Sequence, residues 1–364
     1  MTPRILILTA SVGAGHDVPA QALAAQLSLE RPEADIVIAD ALQAMGPAVK
    51  AVSADAATVV FYRFRWVWDL GFWMFAGTPA TRNATQTLLT RVGTPGLLRL
   101  IRSVDPGVIV STYPNVTEVL GRLRRSGRLE VPVCAGITDL AGLHYWASPG
   151  VDVHLVTHPE SIGEVRRIVG AGTEVHCVHG FSAPEFLAPM EPAAARRALG
   201  LSEEGKVVLV SGGGWGVGDI EGAVDEALRL GEVSEVVCLC GQNGELRRRL
   251  ERRFRGQRRV RVEGFTDRMP DWLTAGDALV HSTGGLTVLE ALMRGCPAIS
   301  YGWGRGHVRA NNQAFRRFGL AQVADSRVAL AVALRRALAM PRRPDPRFSE
   351  LPSAASRVLA LAPA

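Results

Sequence analysis

The sequence has 364 residues and a formal charge of +6, from 41 Lys and Arg against 35 Asp and Glu. At roughly 100–200 residues per domain that length suggests two domains, and a hydrophobic fraction of 47% excludes wholesale disorder. Five scattered cysteines with no Cys-x-x-Cys pair exclude a disulfide framework and fit a reducing cytoplasm. Residues 5–9 read as a buried strand, too short for a secretory apolar core. The chain then turns through Ser11-Val-Gly-Ala-Gly-His16 into a helix predicted over 19–29. A second strand is predicted at 35–39.

Residues 58–77 form the longest apolar stretch, but Arg63, Arg65 and Asp69 interrupt it, so it is not read as a spanning helix. Within it, residues 61–75 mix aromatics with arginine. Phe61, Trp66, Trp68 and Trp73 suit rings at headgroup depth beside arginine–phosphate contacts, and an anionic membrane surface is expected there. An amphipathic core helix with snorkelling arginines is the alternative. Helices at 94–102 and 116–125 and strands at 107–111, 131–137 and 153–157 complete the first half. Pro184, Pro189 and Pro192 mark a linker over 181–191.

The pattern then restarts. Strands are predicted at 206–211, 235–240, 259–263, 278–281 and 298–301, and helices at 219–230, 244–255, 285–294 and 328–339. Cys238 and Cys240 share one face of a strand and read as core. Alternating apolar strands and amphipathic helices give an α/β class with parallel sheets covered on both faces, here two doubly wound domains in tandem. The expected bounds are 1–185, 186–340 and a tail over 341–364 whose helix, 354–361, packs back on the first domain.

The most specific chemistry lies in Ser282-Thr-Gly-Gly285, between the strand ending at His281 and a helix. Unpaired amides at a helix N-terminus attract an anion, Gly284 and Gly285 let a phosphate approach the backbone, and Ser282 and Thr283 add hydroxyl donors. A tight turn without ligand is the bland alternative. Glu290, within the helix, suits the two hydroxyls of a ribose; a solvated helix carboxylate is its alternative.

Residues 264–312 resemble the donor-binding half of the monogalactosyldiacylglycerol synthase and MurG group of GT-B glycosyltransferases. Ser11-Val-Gly-Ala-Gly-His16 is similar to that family's Gly-rich loop ending in His, and Asp139-(x4)-His144-x-Trp146 to its Asp…His…Trp segment. Gly212-Gly-Gly-Trp-Gly216 and Cys240-Gly-Gln-Asn243 resemble its central loops, and the likeness spans roughly residues 4–325. The resemblance implies the GT-B fold, two Rossmann-like domains facing across a cleft, and a nucleotide-sugar donor, usually UDP-linked, in the second domain. The loop Gly264–Met269 would hold the base near Phe265 and Met269. Gly284 and Gly285 would cradle the diphosphate, Glu290 would bind the ribose, Asn311, Asn312 and Gln313 would contact the sugar and ribose, and Gly213 and Gly214 would join the donor site. One departure leaves the sugar open: the lipid-synthase branch often carries acidic or Gln residues where this chain reads Gly306-His-Val-Arg-Ala310.

His16 is the leading base candidate, because histidine titrates near pH ~6.5 and a helix N-terminus opposes its protonation. A capping or phosphate-contacting His is the alternative. Asp139 is the rival base, or else an N-cap or a structural partner of His144. Gly15, His144 and Trp146 join the aromatic stretch on the acceptor side. Helix dipoles, backbone amides and Arg305 or Arg309 would neutralise the leaving nucleotide, so no cofactor or metal is required. No Asp-x-Asp occurs, and His154, His158, His176 and His179 read as core or surface before a metal set. The arginine runs 122–128 and 247–261 read as solvated faces; no nucleic-acid partner is expected.

The expected function is inverting transfer of a hexose or N-acetylhexosamine from a UDP-sugar to a lipid or lipid-linked hydroxyl, by a cytoplasmic enzyme peripheral on the inner membrane face. The alternatives are a natural-product acceptor, a non-hydrolysing sugar-nucleotide epimerase, and a non-catalytic membrane protein on the same scaffold. A dinucleotide oxidoreductase is disfavoured because neither Gly-rich turn has the Gly-x-Gly-x-x-Gly spacing.

Overall fold

The computed structural model describes residues 2–10, 14–51, 79–282, 284–302 and 306–362. The chain forms two compact units, one of residues 1–183 with 351–364 and one of residues 184–350.

The first unit is built on six parallel strands: β1 Arg4–Thr9, β2 Asp35–Asp40, β3 Val108–Ser111, β4 Val133–Gly136, β5 Val153–Val156 and β6 Glu174–Cys177. Their order in the sheet is β2-β1-β3-β4-β5-β6. Strands β3, β4 and β5 are buried at every position, so they carry mostly apolar runs instead of alternation. One face packs Ile5, Ile7, Leu23, Leu27 and Phe181 into a common core. The other packs Leu6, Leu8, Leu42, Leu97 and Leu120.

The second unit repeats the architecture with β7 Lys206–Ser211, β8 Val233–Leu239, β9 Val260–Glu263, β10 Ala278–His281, β11 Ala298–Tyr301 and β12 Gln322–Ala324. Its order is β12-β11-β10-β7-β8-β9, again parallel. Cys238 and Cys240 both sit in its core. At the amino edge of this sheet Arg196 and Asp277, both buried, form an ion pair of 2.5 Å. Arg196 also donates to the Ala275, Glu203 and Gly205 carbonyls, and Asp277 accepts from the Val207 amide at 2.8 Å.

Four details depart from the sequence reading. Strands β6 and β12 were not expected; both are short edge strands whose polar, partly exposed residues lack the apolar run of a central strand. The helix predicted at 94–102 is Pro79–Val104, and it runs through Pro95. Its Gly93 and Gly96 lie so close to the helix Ala41–Met45 that a Cβ at Gly96 would come 2.0 Å from the Ala44 carbonyl, and this contact supports the turn around the proline. Phe181, read as linker, is wholly buried in the first unit against Gly136. The predicted tail divides in two. Arg342 donates to the Leu273 and Thr274 carbonyls and the Asp345 amide to the Leu292 carbonyl, within the second unit. Beyond residue 350 the chain rejoins the first unit: the His179 amide donates to the Pro352 carbonyl, Ser353 caps the helix Ala354–Leu359, and Ala354, Ala355 and Val358 enter the core beside Ile5 and Leu23.

Candidate functional site

Open parallel sheets bind ligands beyond the carboxyl ends of the strands, where the strand order reverses. In the first unit that point lies between β1 and β3, because β2 flanks β1 on the far side. His16 stands there, in the first turn of the helix Ala14–Glu30 that follows β1. Its Nδ1 lies 3.0 Å from the carbonyl of Thr112, just past β3, and the Thr112 hydroxyl donates to the His16 carbonyl at 3.2 Å. A carbonyl can only accept. The neutral imidazole therefore carries its proton on Nδ1 and its lone pair on Nε2, the tautomer a general base needs.

Two aromatic rings fix the imidazole. Tyr113 meets it edge-on at 4.9 Å between centroids and Trp146 lies tilted at 5.8 Å. The Trp146 indole donates to Asp139 Oδ2 at 2.9 Å. The structure thus brings His16, Trp146 and Asp139 together. Asp139 lies three residues beyond β4, and its carboxylate anchors the indole that packs on His16. His144 stacks on Tyr145 at 4.0 Å in the short turn Leu143–Tyr145, and Gly15 supplies backbone in the first turn ahead of His16. Thr112 and Tyr113 were not singled out in the sequence, although their place directly after a central strand marks them. Burial pushes the Tyr113 phenol up to about 12, so at neutral pH it remains a protonated wall of the site.

In the second unit the order reverses between β7 and β10. Two helix N-termini meet at that point and differ in how their amides are used. The helix Ile220–Leu228 is capped by its own Asp219, which accepts from the Gly222 amide at 2.9 Å. The helix Gly285–Met293 begins at Gly284, a position with no side-chain cap, and helix N-termini are places where anions bind. Gly218, at φ +103°, crosses directly over Ser282: a Cβ there would lie 2.1 Å from the Ser282 hydroxyl oxygen. Gly213 and Gly214 form the short turn after β7, and the Gly214 carbonyl accepts from the Gln242 amide at 2.8 Å.

The remaining candidates fall around this edge. Glu290 is only 7% exposed, which is not the environment of a solvated helix carboxylate. Ser282 is buried and donates its hydroxyl hydrogen to the Tyr301 carbonyl at 3.0 Å, so it braces the turn. Asn311 and Asn312 are buried on the helix Gly306–Phe318, with Asn312 accepting from Ser300 at 2.7 Å, while Gln313 and Arg309 are exposed. Phe265 is 61% exposed on the loop after β9, and Met269 opens the next helix. Thr283, Arg305, Phe61, Trp66, Trp68 and Trp73 lie outside the described residues.

Three of the other histidines have local partners. His158 pairs with Glu160 and His176 with Glu174, and the Ser148 amide donates to His154. Among the described residues no group of three His, Cys, Asp or Glu side chains is arranged to hold a metal. Burial pulls His154, and also His281 at the end of β10, down to about 4. A depressed histidine is stable while neutral and loses that stability as pH falls below its unfolded value. Each should therefore cost about 2 kcal/mol between pH 7 and pH 5, at ~1.4 kcal/mol per pH unit below ~6.5. Urea unfolding at the two pH values measures this; equal midpoints would refute it.

The family described as monogalactosyldiacylglycerol (MGDG) synthase matches residues 16–179. The processive diacylglycerol beta-glucosyltransferase of Staphylococcus carnosus is 23% identical over 326 residues, covering 89% of this chain and 81% of that protein. The chloroplastic monogalactosyldiacylglycerol synthase 1 of Arabidopsis thaliana is 32% identical over 243 residues, 63% of this chain and 44% of that one. Among solved structures, MurG of Acinetobacter baumannii superimposes with a TM-score of 0.57 over 99% of both chains at 15% identity. The chain is a GT-B glycosyltransferase, similar to the monogalactosyldiacylglycerol synthase and MurG-like group.

For this glycosyltransferase the epimerase and non-catalytic alternatives fall away. The two doubly wound parallel sheets are those of the GT-B fold. None of its described helices is long and apolar enough to cross a membrane.

Proposed function

We propose that this glycosyltransferase moves a hexose or N-acetylhexosamine from a UDP-sugar to a hydroxyl of a lipid acceptor, with inversion at the anomeric carbon. The observation that carries the reading is the pair of switch points: one presents a histidine tautomer suited to accept a proton, the other an uncapped helix N-terminus suited to hold a diphosphate. The lipid acceptor is supported by the names of the relatives, which act on diacylglycerol.

In this reading His16 Nε2 takes the proton from the acceptor hydroxyl as its oxygen bonds to the anomeric carbon. The bond from that carbon to the diphosphate oxygen breaks on the opposite face, which inverts the configuration. The departing UDP gathers its charge against the amides of the helix Gly285–Met293, so this chain's own dipoles do the neutralising. Asp139 acts through Trp146, holding the indole against the imidazole. Glu290 accepts from the ribose hydroxyls, Asn311, Asn312 and Gln313 read the sugar, and the loop from Gly264 to Met269 holds the base. Residues 61–75 supply the contact with an anionic membrane surface on the cytoplasmic side.

Glu290→Ala should weaken UDP binding by about 1–3 kcal/mol, the usual cost of leaving buried donors unpaired. Calorimetry with UDP measures it, and unchanged affinity would remove Glu290 from the ribose role. The whole reading is tested with a nucleotide-sugar panel, followed by nucleotide release and by the product's anomeric configuration in NMR. Acceptors are diacylglycerol in anionic or neutral vesicles and a soluble aromatic aglycone. A retained configuration, a non-uridine donor or preference for the aglycone would each overturn the corresponding part. Equal rates on both vesicle types would remove the anionic surface.

A further inference from the structure

Three segments of the second unit converge at the carboxyl edge of β7, β10 and β11, and one residue ties them. Tyr301 ends β11, and its buried ring aims the phenol at Asp219, donating to Oδ2 at 2.8 Å. Asp219 closes the Gly-rich loop after β7, and its other oxygen caps the helix Ile220–Leu228. Arg327 approaches the same carboxylate at 3.5 Å. Through its main chain Tyr301 holds the other side: its carbonyl accepts from the Ser282 hydroxyl, on the turn that leads to Gly284 and Gly285. Ser282 is held a second time, its amide donating to the Ser211 carbonyl at 3.3 Å, and Gly218 crosses it with no room for a side chain.

The side chain of Tyr301 therefore fixes one lip of the switch-point crevice and its backbone fixes the other. Phenylalanine would fill the same volume; what the tyrosine adds is a hydrogen bond to the Asp219 carboxylate. Burial and the neighbouring carboxylate raise the phenol to about 12, so the donor hydrogen is present throughout the neutral range.

We propose that Tyr301 and Asp219 form a strut that sets the spacing between the Gly212–Gly218 loop and the Ser282–Gly285 turn, making Tyr301 a positioning residue for the nucleotide diphosphate. The proposal rests on the donor reading of this crevice given above. It differs from a packing role in what it moves. A strut sets donor affinity and leaves acceptor affinity alone.

The test compares the full-length wild type with Tyr301→Phe and Asp219→Asn. UDP affinity is read by calorimetry, donor and acceptor KM by nucleotide release, and melting temperature by circular dichroism. Tyr301→Phe should weaken UDP binding and raise donor KM by about tenfold, the scale of one hydrogen bond to a charged group, with acceptor KM unchanged. Asp219→Asn keeps both an oxygen for the phenol and a cap for the helix, so it should lose less than Tyr301→Phe. Wild-type UDP affinity in Tyr301→Phe would overturn the strut. So would a rise in donor and acceptor KM together with a fall in melting temperature, the mark of general loosening. A wild type that binds no UDP at all would instead sink the donor reading, and the strut with it.

Discussion

Replacing His16 with alanine should lower turnover by roughly 10²–10⁴, the range typical of losing a general base, while UDP affinity stays at the wild-type value. The separation follows from where the groups stand. His16 belongs to the first unit, held by the Thr112 carbonyl and flanked by Tyr113 and Trp146, whereas the uncapped helix lies in the second. Thr112, Tyr113 and Trp146, which hold His16, all belong to the first unit, so the variant tests the base role apart from the proposed donor site. Turnover at saturating donor and acceptor, paired with calorimetry, reads both quantities. Asp139→Asn is the informative companion: an amide oxygen still accepts from the Trp146 indole, so this variant should keep most of the activity. Wild-type turnover in His16→Ala would take the base role from His16. A loss in Asp139→Asn as deep as that in His16→Ala would give Asp139 the chemical step.

The second large effect is on the fold. Asp277→Ala should destabilise the protein by about 3–5 kcal/mol, because it leaves the Arg196 guanidinium charged and uncompensated inside the second unit. The same substitution strips an acceptor from the Val207 amide at the start of the central strand. Arg4→Ala is the contrast. Arg4 and Asp35 form a pair of similar length, 2.6 Å, but both side chains are nearly half exposed, and water screens what they gain, to less than ~1 kcal/mol. Urea unfolding of the two variants distinguishes burial from pairing as the source of stability; equal midpoints would refute the argument.

The legibility of this fold followed burial. Central strands such as Lys206–Ser211, Ala278–His281 and Ala298–Tyr301 stood out with their bounds, since a strand covered on both faces reads as a nearly continuous apolar run. Edge strands such as Gln322–Ala324 bury too little to leave that trace. The Gly-rich turns and His16 were visible because positive φ, close approach and titration each restrict the residue type. What surrounds them was not. Thr112 sets the His16 tautomer with a main-chain carbonyl, an atom every residue carries. Tyr301 reaches Asp219 across 82 positions in sequence, and nothing local to either residue announces the pairing.

The return of the last helix to the first unit has a bearing on biosynthesis. Ala354, Ala355 and Val358 complete a core whose other members, Ile5 and Leu23 among them, leave the ribosome more than 300 residues earlier. During translation the amino-terminal half waits with one flank uncovered until the whole second unit, residues 184–350, has emerged. Its final closure therefore reports that the second unit has been made.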